Sequence, residues 1–70
     1  MTLKDAIERE EYVIKEIKTN DNELNSFLFS LGCYSGEMIT VINKRRSGCI
    51  VLIKNTRYSI DDRLAKSIII

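Results

Sequence analysis

The chain has no histidine and no proline, and it holds only two cysteines and three glycines among its 70 residues. Each scarcity closes off a class of function. Without histidine, the commonest general base and the commonest transition-metal ligand are both missing. Cys33 and Cys49 alone fall short of the four Cys and His ligands that a structural zinc site normally recruits, so no metal site and no cofactor are expected. Small secreted domains usually carry four or more cysteines, and no signal peptide precedes the first charged residues, which points to a reducing, cytoplasmic setting. Gly32, Gly36 and Gly48 are dispersed at expected turns and form no phosphate-cradling loop. No apolar run approaches the roughly 20 residues needed to cross a bilayer, so direct membrane insertion is not expected. With no proline, no Gly/Ser linker and no repeat, nothing marks an internal boundary, and residues 1–70 are read as one domain.

What remains is the composition of a small globular protein, 44% hydrophobic and 30% charged. The net charge of +1 conceals a division: residues 1–42 carry a net −4 and residues 43–70 a net +5. Such polarity bears on docking rather than on folding.

Along the chain, Thr2 and Asp5 form a capping-box pattern that predicts a short helix through about Arg9, with Leu3, Ala6 and Ile7 on its apolar side. Glu11 to Lys18 alternates with branched residues and predicts the first strand. Asn20 is placed to cap a helix in which Leu24, Phe27, Leu28 and Leu31 recur at i, i+3, i+4 and i+7, and Gly32 ends it. Phe29 falls outside that stripe and is a candidate exposed aromatic, covered by the N-terminal turn or reserved for a partner. After the Ser35-Gly36 turn the period becomes two, with Ile39 and Val41 on one face, up to the basic cluster Lys44-Arg45-Arg46. A loop with Ser47-Gly48 leads into Cys49 to Ile53, apolar on both faces and therefore central. Lys54 to Arg57 predicts a tight hairpin in which Asn55 takes positive φ. Ser59 and Asp62 suggest a second capping box opening a helical turn from Asp61 to about Ala65, before a last strand Lys66 to Ile70. About five short strands and one amphipathic helix close most economically into a small SH3-like β-barrel.

The stretch Leu28 to Ile42 resembles the signature of the FeoA family, in which a helix ends in Leu-Gly, an apolar residue follows, and Pro-Gly leads into an alternating strand. Ser47 to Ile53 sits where the family has its central Gly-Pro loop and strand, and Leu64 to Ile70 resembles its closing turn and strand. Ser35 and Cys49 stand where prolines are usual, and Asp61-Asp62 near where many relatives place basic residues. The resemblance implies a non-enzymatic cytoplasmic accessory of bacterial ferrous iron uptake. Its implied partner is the FeoB permease with its cytoplasmic G domain, through which the chain would be recruited to the inner membrane face. It also associates the chain with transition metal ion binding, which no residue here displays.

Candidate partner-binding residues are Phe29 and Tyr34 around the helix end, and Lys44, Arg45 and Arg46 at the basic hairpin. No nucleic acid is expected, because stacking aromatics are missing beside the basic cluster. Weak self-association stays open. The alternative is an SH3-like regulatory module for a peptide or nucleic acid, since such barrels serve unrelated roles. Cys33, after a helix C-terminus where the dipole disfavours thiolate, reads as a small buried hydrophobe, and Cys49 as a core or rim thiol.

Overall fold

The computed structural model describes all residues from Met1 to Ile70. A 3-10 turn, Leu3–Asp5, precedes β1 (Glu11–Val13), β2 (Glu16–Ile17), α1 (Asn22–Ser30), β3 (Met38–Arg45), β4 (Gly48–Ile53), β5 (Thr56–Asp61), α2 (Asp62–Ser67) and β6 (Ile68–Ile69). Four strands form an antiparallel sheet in the order β1-β3-β4-β5, and β2 pairs with β6 in a second, two-stranded sheet. The result is a mostly β, SH3-like barrel left open between β5 and β6, where α2 makes the connection.

The central position expected for Cys49 to Ile53 holds: β4 is flanked by β3 and β5, with Cys49, Val51 and Ile53 buried and Ile50 and Leu52 half-buried. Opposite it, Ile39 and Val41 are buried on the inner face of β3. The β3–β4 register slips between Val41 and Asn43, so Ile42 is an extra residue. Such a bulge bends the strand and helps the sheet curl. The Lys54-Asn55 turn has φ of 50° and 67°, the two-residue hairpin with both central residues left-handed.

Helix α1 ends as the sequence indicates. Gly32 takes φ 88°, its N–H donates to the Phe29 carbonyl at 3.0 Å, and the Cys33 N–H donates to the Leu28 carbonyl at 2.9 Å. This is a Schellman closure, which buries Cys33 against the core beside Leu28. A Cβ on Gly32 would lie 3.2 Å from the Lys54 side chain, while Phe27 shares a depression with Ser59, Ile60 and Asp61. The helix therefore passes near the Lys54 turn at its C-terminal end and near β5 at Phe27.

Several expectations are corrected. The first helix stops at Asp5, and Arg9 takes φ 69°, with its N–H bonded to the Val41 carbonyl. Leu3 and Ala6 are buried there, but Ile7 is exposed. The single strand Glu11–Lys18 is two. Ile14 gives its N–H to Glu37 and the next residue, Lys15, gives its own to Ile69, so the chain crosses from one sheet to the other at that point. Asp21, not Asn20, caps α1, its Oδ1 accepting from the N–H groups of Glu23 and Leu24 at 2.9 and 3.2 Å. Asp61, not Ser59, caps α2, accepting from the Leu64 N–H at 2.9 Å, because Ser59 is held inside β5. That helix extends to Ser67 and leaves only Ile68–Ile69 as the last strand. Gly48 is needed for closeness rather than for a turn: a Cβ there would stand 2.1 Å from the Ile60 carbonyl oxygen.

Candidate functional site

Phe29 leaves α1 about 100° around the helix from Leu28 and is 66% exposed, so the N-terminal turn does not cover it. Its ring lies against Tyr34, with centroids 4.9 Å apart and planes inclined by 34°, within the range of favourable aromatic pairs. The Schellman closure fixes this proximity, since it reverses the chain within the three residues, Leu31 to Cys33, that separate the helix end from Tyr34. The Tyr34 hydroxyl accepts from Lys54 Nζ at 2.8 Å, and the same ammonium is 3.5 Å from Glu37 Oε1. The hydrogen bond to Tyr34 raises the Lys54 pKa, desolvation opposes the shift, and Glu37 adds to it. Three segments, the helix end, the following turn and the β4–β5 hairpin, thus meet in one tethered cluster.

The turn itself is anchored. The Ser35 hydroxyl donates to the Lys15 carbonyl at 2.8 Å, and the Gly36 N–H, at φ 92°, donates to the Ile14 carbonyl at 2.8 Å. Ser35 thus supplies a long-range tie that a proline at this position, having no side-chain donor, could not make.

The basic residues lie elsewhere. The Arg46-Ser47 turn and the Lys54-Asn55 turn close opposite ends of β4, about 17 Å apart for a strand of this length. Lys44, Arg45 and Arg46 are exposed, as a hairpin tip should be, but they do not share a surface patch with Tyr34. Lys44 is also partly structural, its N–H donating to Glu8 Oε2 and its Nζ to the Lys4 carbonyl, both at 3.0 Å. Arg45 contributes to a hollow of about 340 Å³ that includes Phe27, Ser59, Ile60 and Leu64. The helical period puts Phe27 in the core stripe, yet it is 48% exposed. It sits on the flank of the line through Leu24, Leu28 and Leu31, and its neighbour Leu28 alone in α1 is fully buried. Lys54 and Glu37 carry no local sequence signal, because their partner Tyr34 is reached only through the fold.

Cys33 and Cys49 are free thiols, 1% and 6% exposed. Burial pushes the Cys33 thiol up to about 11. Burial likewise raises Cys49, Asp62 adding to the shift and Lys44 opposing it. No three Cys, Asp or Glu side chains gather as a group able to hold a metal ion.

Fold and cluster together define a small SH3-like domain with an exposed aromatic corner. The family model of the FeoA domain matches residues 1–70, and the chain belongs to that family. None of the curated proteins matches it in sequence. Among solved structures it is similar to an iron uptake regulatory protein, FeoA (TM-score 0.86, 20% identity, 97% of this chain and 91% of that one). It is also similar to Stenotrophomonas maltophilia FeoA, described as a prokaryotic SH3 domain protein and solved with zinc (0.86, 20%, 99% and 87%). A manganese-dependent transcriptional repressor contains the same fold over 39% of its length (0.88, 16% identity, 97% of this chain).

Proposed function

We propose that this chain is a non-enzymatic accessory of bacterial ferrous iron uptake, acting on the cytoplasmic side by contact with the FeoB permease. Family membership supports the iron-transport setting. The observation that carries the contact mode is Phe29, exposed yet held in place by Tyr34, Lys54 and Glu37. A large aromatic already ordered before binding loses little freedom on docking, which is the profile of an interface anchor. Iron in this reading is cargo of the permease, and the chain supplies no ligand set for it.

The test is the affinity of the full chain for the isolated cytoplasmic region of the permease, measured by calorimetry. Phe29→Ala is expected to weaken binding more than tenfold, since loss of an anchor commonly costs about 2 kcal/mol or more, while leaving the fold intact. Leu28→Ala, one residue away but buried, is expected to destabilise the fold by about 2–5 kcal/mol. Wild-type chain that does not bind the permease region would remove this reading and leave the regulatory-module alternative. That alternative draws on the shared fold of the manganese-dependent repressor.

A further inference from the structure

The largest hollow in the molecule, about 520 Å³, lies between the loop entering α1 and the outer side of α2 and shares no residue with the aromatic corner. Three cations line it: Lys18, just past β2, and Arg63 and Lys66, which stand three residues apart and so project from one side of α2. None of them is in either of the protein's two ion pairs, Lys4–Asp62 and Lys54–Glu37. The one carboxylate in the lining, Asp21, directs its Oδ1 to the first N–H groups of α1 and makes no ion pair with the three, so the cations outnumber the anion three to one. The walls are tied, the Lys18 N–H donating to the Ser67 carbonyl at 2.7 Å. Unpaired cations that converge in a concavity focus potential there.

We infer that this hollow is an anion site for a phosphate ester carried on a polar group. Lysine and arginine in combination suit phosphate, the first as point charges and the second as a fork of donors. The volume falls within the range of about 300–1,000 Å³ common for small-molecule sites, which is more than a bare phosphate needs. Leu24 is the single hydrophobic residue of the lining, so the group attached to the phosphate is hydrophilic, such as a polyol. The amide of Asn20, which no protein group engages, is available to its hydroxyls. A free metabolite and a lipid headgroup share this chemistry.

The probes are glycerol 3-phosphate in solution and vesicles of phosphatidylglycerol against phosphatidylcholine, with the full chain followed by amide NMR and co-sedimentation. Glycerol 3-phosphate is expected to shift the amides of residues 18–21 and 63–67 saturably, and the Lys18→Gln, Arg63→Gln, Lys66→Gln variant to bind at least tenfold more weakly while keeping its spectrum elsewhere. Additional retention on phosphatidylglycerol alone, lost in the same variant, assigns the phosphate to a membrane surface; saturation without retention assigns it to a free monoester. The inference is overturned if neither probe moves those amides, or if replacing Lys44, Arg45 and Arg46 by Gln weakens binding equally, which would mean diffuse charge. Permease binding by the Phe29 surface is measured separately and does not depend on either result.

Discussion

The two ends of β4 are finished in different ways. At the Ile53 end the hairpin tip is bound into its surroundings: Lys54 joins Tyr34 and Glu37, Tyr34 meets Phe29, and Gly32 packs close against the Lys54 stem. At the Gly48 end the tip is Arg46-Ser47, and the side chains of Arg45 and Arg46 make no hydrogen bond or ion pair. The first end has shape held before a partner arrives, and the second has charge held loosely. Shape of that kind governs how long a complex lasts, whereas exposed charge governs how fast it forms.

Each end depends on a glycine for a different reason, and substituting them separates the two. Gly48→Ala would drive a Cβ to 2.1 Å from the Ile60 carbonyl oxygen, a backbone atom that cannot step aside without breaking the β4–β5 ladder. The expected loss is about 3 kcal/mol or more, at the upper end of overpacking costs. Gly32→Ala incurs instead the strain of a left-handed residue, about 1–2 kcal/mol, because the Lys54 side chain at 3.2 Å is flexible. Urea denaturation of both variants checks the order, and a larger loss for Gly32→Ala would mean that the tied end, not the ladder, limits stability.

The sequence is most legible where structure is local. Gly32 and Asn55 announce positive φ through chemistry of their own, and the alternation that puts Ile39 and Val41 on one side identifies the inner face of β3 without knowledge of its partners. It is least legible where one residue serves two distant neighbours. Nothing in Val13-Ile14-Lys15 tells that the chain changes sheets there, since the cause lies at Glu37 and Ile69. Asn20 and Asp21 are both good caps, and geometry alone chooses the second. The exposure of Phe29 could be read from its helical phase, but the Lys54 tether on Tyr34 spans 20 residues and could not.

The cysteines sharpen the same contrast on a smaller scale. Cys33 is sealed at the tied end, while Cys49 lines hollows on both of its sides at the open end. A thiol reagent at pH 8 should therefore label Cys49 at least tenfold faster than Cys33 in the native protein, and equal rates would mean labelling through global unfolding. The Cys33 thiol stays protonated in the folded chain until about pH 11, whereas an exposed thiol ionises near 9.0. Between these values the unfolded chain binds fewer protons, so this contribution to stability is complete below pH 9 and is lost as pH rises towards 11. Denaturation at pH 8.5 and 10.5 should show a steeper fall for wild type than for Cys33→Val.

The smallest effect on stability belongs to the open end. Arg45→Glu combined with Arg46→Glu reverses two charges that are exposed and unpaired, on residues whose backbone conformation does not favour arginine. Surface substitutions away from caps, cores and close approaches usually stay within about 0.5 kcal/mol. Lys44 is left in place deliberately, because its bonds to Glu8 and the Lys4 carbonyl hold the N-terminal segment. The melting temperature should thus hardly move. Binding to the permease region should slow in its association rate and lose part of its salt dependence, with dissociation nearly unchanged, since exposed charges steer encounter and are screened by ions. Stopped-flow measurements at low and high salt separate the two rates. If dissociation accelerates as strongly as for Phe29→Ala, Arg45 and Arg46 are inside the interface, and the partner must span β4 from end to end, in contact with both tips at once.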